Sequence, residues 1–217
     1  KNLNEIKKVI YNMSKHSKDS DLIIYPETVI PELYDDKEDT YEKILSQEKK
    51  ILISGIFRKD TNTNKIFNSM LVIGENTSIY DKRKLVPFGE FTPFPKLFLP
   101  IASMLNIPMS NLSEGDSSSS EIVLDKFIIH PLICYESAYS NLISQKDLSK
   151  PEVIVVLSND SWFGQSLAPY QHLQISQTRA LEFNKYILRA ANTGISAVID
   201  NHGNIKKTVE LNQRGHL

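Results

Sequence analysis

With 217 residues, 41% of them hydrophobic and 24% charged, the chain has the size and composition of one globular domain with a substantial core. Its 25 Lys and Arg nearly cancel its 26 Asp and Glu, so no net field draws it to nucleic acid or an anionic membrane surface. One cysteine excludes an internal disulfide, the five scattered histidines have no structural-zinc spacing, and no run has signal-peptide character or reaches the length of a membrane span.

Leu3, Ile6, Ile10 and Met13 recur at helical spacing with lysines on the other face, which predicts an amphipathic helix over 3–16. "DLIIYPE" reads as a short buried strand stopped by a proline, with Glu27 just past its end. Three further strands follow at 50–57, 65–73 and 78–82, joined by Asp, Asn and Gly turns. "FTPFPKLFLPIASMLNIPM" (91–109) is apolar and proline-broken, and "SEGDSSSSE" is a flexible serine tract. "EIVLDKFIIHPLICYE" predicts a hairpin-like strand pair ending at Cys134, and "EVIVVLSND" (152–160) is a strand apolar on both faces. A helix from about Pro169 to Asn184 precedes two or three strands, the last pair joined by an Asn-His-Gly turn. Strands alternating with helices argue an α/β layered fold.

Cys134 is the only thiol, and free cysteine is among the most buried residue types, so core packing and nucleophile both stay open for it. His130 sits four residues earlier on the same strand, about 13 Å away, too far to serve as its base. His172, from elsewhere in the chain, is not so excluded. Glu27, at a buried strand end, is a general base or a structural cap. "YDKRKLVPFGE" sets Lys82 at a strand end and Glu90 beyond a Pro-Phe-Gly turn. Thiol, carboxylate and ammonium thus all fall at strand ends, where sites assemble in open α/β sheets.

Together these stretches resemble the nitrilase superfamily, whose triad runs glutamate, lysine, cysteine along the chain, and within it the bacterial apolipoprotein N-acyltransferases. The resemblance rests on "YPETVIP", "YDKRKLVPFGEFTPF", "ICYE" and the block from "SNDSWFGQSLAP" to "ISAVID", across most of residues 22–200. It implies a nitrilase-like α-β-β-α sandwich, with Glu27 as base, Lys82 as catalytic lysine and Cys134 as nucleophile. Lys84 competes for the lysine role, but the family's lysine stands eight residues before the glutamate of Pro-Phe-Gly-Glu, which selects Lys82. Glu90, Tyr135 and Glu136 match further residues of the family site, and Tyr25 stands where the family usually has tryptophan.

The resemblance also implies a fatty acyl chain carried from a phospholipid, through a cysteine thioester, to the amino group of a diacylglyceryl-cysteine lipoprotein. No metal or cofactor enters that chemistry, and no nucleic acid. The expected setting is the periplasmic side of a bacterial inner membrane. The family's transmembrane spans and the first strand of the fold are expected to be absent, making 1–217 one catalytic domain cut from a membrane protein or a split gene product. Residues 91–120 are expected to form a lip-like insertion, with 91–109 lying on the membrane or over a lipid pocket, or else a buried loop. Trp162 and Phe163 are expected to line the acyl channel or to be ordinary core aromatics. Arg179 and Glu182 are spaced to pair on their helix. A soluble amidase or carbamoylase of the same superfamily is the rival enzyme, and a catalytically lost binding domain the rival of another class.

Overall fold

The computed structural model describes residues 3–15, 20–29, 31, 33–34, 50–94, 111–116, 121–143 and 150–217. α1 (Leu3–Lys15) leads into β1 (Leu22–Ile24), β2 (Leu33–Tyr34), β3 (Ile51–Lys59), β4 (Ile66–Ile73) and β5 (Thr77–Asp81). The second half comprises β6 (Ile122–Val123), β7 (Ile128–Ile133), β8 (Glu152–Asn159), α2 (Ala168–Phe183), β9 (Tyr186–Asn192), β10 (Ser196–Ile199) and β11 (Ile205–Val209). Every predicted element is present within a residue or two of its expected bounds. The two-residue β2 is too short to leave a period in the sequence.

The strands form two sheets. In the first, β3 pairs antiparallel with β4 and β4 with β5, while β1 and β2 lie in succession along the far side of β3, both parallel to it. In the second, ordered β11-β10-β9-β8-β7-β6, the central strands β7, β8 and β9 are parallel and the outer pairings antiparallel.

Alternation along the strands assigns the layers. Ile53, Met70, Val72 and Tyr80 of the first sheet pack against Ile129, Ile133, Val155 and Leu157 of the second. The intervening residues of the second sheet, Leu132, Ile154 and Val156, point the other way, onto Leu173, Ala180 and Phe183 of α2. On the outer face of the first sheet, Ile6 and Ile10 of α1 cover Ile23, Leu52 and Ile73. The result is α-β-β-α, and it explains the unbroken apolar runs of β7 and β8, which are covered on both faces. α2 ends on Asn184 in the left-handed conformation, its N–H returning to the carbonyls of Ala180 and Leu181.

Two sequence-level readings resolve here. His130 is buried and bound to Glu152, which also pairs with Lys185 at 3.2 Å, so it belongs to the sheet. Arg179 and Glu182 pair at 2.7 Å. The proline-broken segment lies outside the described residues from 95 to 110, as does 117–120 of the serine tract. Its far end runs back beside the first sheet, with the N–H of Ser113 donating to the carbonyl of Ile66 and that of Gly115 to the carbonyl of Lys82, each at 2.8 Å.

Candidate active site

Glu27, Lys82 and Cys134 arrive at one place from three strand ends: just past β1, just past β5 and just past β7. Glu27 is held in a tight turn packed on β3, where the N–H of Gly55 donates to the carbonyl of Pro26 at 3.2 Å. Any side chain at position 55 would overlap Glu27 Cα and Thr28 N, so glycine lets this turn lie flat on the sheet. Cys134 opens a one-turn 3-10 segment, Cys134–Ala138, with φ of +52°, a left-handed conformation rare outside glycine. The chain therefore reverses sharply at the thiol and leaves it half-buried.

The Lys82 ammonium is 1% exposed and stands 2.8 Å from Glu90 Oε1 and 3.7 Å from Glu27 Oε1. Asn68, buried on β4, spans the same two carboxylates, donating from Nδ2 to Glu27 at 2.7 Å and to Glu90 at 2.9 Å. The other Glu90 oxygen accepts from the N–H of Val86 at 2.8 Å, which folds the Pro-Phe-Gly-Glu turn back on itself. Glu27 Oε2 is buried with no hydrogen-bond partner among the described residues, a lone pair open to a proton. Lys84 contributes its backbone N–H to Glu136, at 3.1 Å, and it is Lys82 whose ammonium meets the two carboxylates.

Glu136 is fully buried and fastens the thiol segment to the lysine segment. Its carboxylate accepts from the N–H groups of Ile133, Arg83 and Lys84 at 2.8, 2.7 and 3.1 Å, and from the Tyr80 hydroxyl at 2.9 Å. Charge-assisted bonds of this kind are about twice as strong as neutral ones, so one side chain fixes the spacing between Cys134 and Lys82. Arg83 adds a bond from Nη2 to the carbonyl of Leu142 at 2.8 Å.

Electrostatics set the resting protonation. Burial pushes the Glu27 carboxyl up against the pull of Lys82 and Asn68. Burial and then the Glu27 charge push the Cys134 thiol up to about 12, opposed by Lys82. Burial alone would lower the Lys82 ammonium, but Glu27, Cys134 and Glu90 outweigh it and hold the group above its ordinary range. The sulfur thus rests as a thiol beside the positive charge of Lys82, with the Glu27 carboxyl held above its ordinary range next to that ammonium.

Behind the thiol lies a second buried cluster. Asp160 follows β8 as Cys134 follows β7, and the parallel register that sets Ile133 opposite Leu157 places these ends side by side. Arg189 Nη2 donates to Asp160 Oδ2 at 2.9 Å, the Ser158 hydroxyl donates to Asp160 Oδ1 at 2.6 Å, and His172 Nδ1 lies 2.9 Å from Oδ1. His172 Nε2 is 3.0 Å from both the Cys134 carbonyl and the Ser137 hydroxyl. Cys134, Asp160 and His172 each offer one ligand atom, all within 4.8 Å of one another. The Arg189 guanidinium stands 2.9 Å from Asp160 and 3.1 Å from His172 Nδ1, putting a positive charge where a cation would have to approach.

Of the other predicted positions, Tyr25 is buried: its ring joins the α1 cluster and its hydroxyl donates to the Ile10 carbonyl at 3.3 Å. Tyr135 is exposed and receives the Tyr139 hydroxyl at 3.0 Å. Trp162, 78% exposed, is not a core aromatic. Phe163 is 39% exposed and sets its ring edge-to-face with His172, centroids 6.3 Å apart. Sequence reasoning missed Asn68, Ser158, Asp160 and Arg189. Their available signal was a polar residue inside or at the end of an otherwise apolar strand.

The chain is 38% identical over 208 residues to an apolipoprotein N-acyltransferase of Coxiella burnetii, and 35% identical over 210 residues to one of Photobacterium profundum. These matches take in 94% and 91% of this chain but only 42% and 40% of the relatives, so it spans about two fifths of their length. Among solved structures it superposes on the carbon-nitrogen hydrolase superfamily protein XC1258 of Xanthomonas campestris with a TM-score of 0.72 at 17% identity, covering 97% of this chain and 82% of that one. It superposes on Nit3 of Saccharomyces cerevisiae with a TM-score of 0.71 at 17% identity, covering 98% and 81%. A sequence model of the carbon-nitrogen hydrolases matches residues 1–216, and with two sheets between two helical layers and three strand ends gathering Glu27, Lys82 and Cys134, the chain belongs to the carbon-nitrogen hydrolase family.

Proposed function

We propose that this domain is an N-acyltransferase that carries a fatty acyl chain on Cys134 from a phospholipid to the amino group of a diacylglyceryl-cysteine lipoprotein. The observation that carries the chemistry is the buried Lys82 ammonium between Glu27 and Glu90, beside the half-buried thiol. The acyl donor and acceptor rest on the names of the relatives above. The periplasmic face of a bacterial inner membrane is the setting that the family resemblance implies for it. Among the described residues no helix is long and apolar enough to cross a membrane.

In this reading Glu27 takes the thiol proton as the sulfur attacks the ester carbonyl, and the oxyanion forms against Lys82 and the peptide N–H of Tyr135. Collapse breaks the C–O bond, and the lysophospholipid oxygen leaves with the proton from Glu27. The acceptor amine then attacks the thioester, Glu27 takes its proton, and the thiolate departs and is reprotonated. Both half-reactions use one base and one oxyanion site, and neither needs a metal or cofactor. Phe163 and Trp162, on the turn after β8, and Tyr135, next to the thiol, are exposed and supply apolar surface for the acyl chain. Residues 1–217 are read as one catalytic domain.

Incubation with phosphatidylethanolamine vesicles and mass analysis of the Cys134 peptide tests the reading. A thioester-linked acyl group that a diacylglyceryl-cysteine peptide removes is the expected result. No adduct on Cys134, together with ammonia release from small amides, would replace the acyltransferase by an amidase.

A further inference from the structure

The carbonyl of Cys134 and the N–H of Tyr135 belong to one peptide unit. That unit is planar and trans, so its C=O and N–H point in opposite directions and cannot turn independently. The carbonyl is gripped from behind, by His172 Nε2 at 3.0 Å and by the Ser137 hydroxyl at 3.0 Å. A carbonyl oxygen only accepts, so Nε2 carries a hydrogen. The grip is braced in turn: Asp160 meets His172 Nδ1, Arg189 holds Asp160, and Arg189 Nε donates to the Ile195 carbonyl at 3.1 Å. Gly194 leaves room for this, since a side chain there would collide with the Asp160 carboxylate. Cys134 needs such bracing, because its φ of +52° is a conformation that an unsupported cysteine leaves readily.

We propose that His172 is a positioning residue for the oxyanion site: by pinning the Cys134 carbonyl it keeps the Tyr135 N–H aimed at the acyl oxygen. Donation into the carbonyl also polarises the peptide unit and strengthens its N–H as a donor. His172 is thereby given a task other than proton transfer with the thiol, which falls to Glu27. The proposal rests on the reading of Cys134 as an acyl-carrying nucleophile.

Two substitutions divide the imidazole between them. In His172→Gln the side-chain amide nitrogen takes the place of Nε2 and still donates to the Cys134 carbonyl. In His172→Asn it takes the place of Nδ1, keeping Asp160 and abandoning the carbonyl. Each is assayed on the full chain by two reactions of the same sulfur: acylation by p-nitrophenyl butyrate, which passes through an oxyanion, and alkylation by iodoacetamide, which does not. His172→Asn is expected to acylate about 30-fold more slowly at saturating ester, and His172→Gln within about fivefold of the parent. Alkylation rate and pH profile are expected to stay within about twofold in both.

Equal losses of acylation in the two variants, or none, would overturn the positioning role while leaving the nucleophile intact. A shifted alkylation profile would make His172 a base or a charge for the thiol and overturn it as well. If the parent is alkylated at Cys134 but never acylated, the nucleophile reading fails and takes the inference with it. Should His172→Asn not fold, Ser137→Ala removes the other donor to the same carbonyl. It is expected to slow acylation by about 3- to 10-fold without changing alkylation, and unchanged acylation there would count against the proposal.

Discussion

Gly55 lies directly beneath Glu27: a methyl group on Gly55 would overlap the Glu27 Cα and the Thr28 nitrogen. Gly55→Ala must therefore lift the turn that carries the carboxylate off β3. The expected stability loss is ~1–3 kcal/mol, from overpacking. The larger effect falls on reaction, because moving a reacting group by about 1 Å costs on the order of 10²-fold. Thermal unfolding with single-turnover acylation separates the two, and an alanine variant as active as the parent would mean that Glu27 need not sit where it does.

Glu27 acts on the thiol in two opposite ways. Its charge adds to burial in pushing Cys134 up to about 12, so removing the charge lowers the thiol's pKa and exposes more thiolate between pH 8 and 10. Its free oxygen is also the proposed proton acceptor for acylation. Glu27→Gln is expected to alkylate faster than the parent at pH 8–9, yet to acylate at least ~10²-fold more slowly. Rates moving the same way in both assays would remove Glu27 from the base role.

Glu90 is committed on both oxygens, one to Lys82 and Asn68 and the other to the Val86 N–H. A glutamine there must turn its NH2 either toward Val86 N–H or toward the Lys82 ammonium and Asn68, so one donor faces another whichever way it flips. Glu90→Gln is expected to lose ~1–3 kcal/mol, read as a Tm lower by about 3–10 °C. Lys82 then leans on Glu27 alone, which weakens that carboxylate as a base and slows acylation by ~10-fold or more. A Tm equal to that of the parent would show that these bonds do not support the turn.

Trp162 and Phe163 follow β8 on the 3-10 turn that begins with Asp160, and exposed aromatic surface on this turn suits a long acyl chain. Trp162→Ala is expected to raise KM for a palmitoyl ester by ~10-fold while changing a butyryl ester by less than about twofold. Equal effects on both chain lengths would take Trp162 off the path of the acyl chain.

Elements with a full period were legible in the sequence: α1 by its apolar stripe, and β7 and β8 by runs that only two covered faces explain. The meeting of Glu27, Lys82 and Cys134 was anticipated from their strand-end positions together with family resemblance. Their spacing along the chain carries no distance, since 107 residues and a sheet change separate the first from the last. Asn68 was unreadable for a different reason. A lone asparagine in "KIFNSMLVI" signals a buried polar group, but not that two carboxylates from other segments will meet its NH2. The Arg189–Asp160–His172 brace exists only once the parallel register of β7, β8 and β9 is set.

That brace makes a stability prediction with a definite sign. Burial would raise the Asp160 carboxyl, but His172 and Arg189 outweigh it and hold the group below the ordinary carboxylate range. A folded-state pKa below the unfolded value of about 3.9 means that the ionised pairings stabilise the protein above that pH. The contribution is lost as pH falls through about 4 and on toward the folded-state value. Asp160→Asn leaves the fully buried Arg189 guanidinium without its counter-charge, so at pH 7 it is expected to lose ~3 kcal/mol and about 10 °C in Tm. Because the parent forfeits the same pairing in acid, the Tm gap between parent and variant should hold down to about pH 4 and narrow as the pH falls below it toward the folded-state value. A gap that stays constant across that range would mean that Asp160 contributes by shape alone.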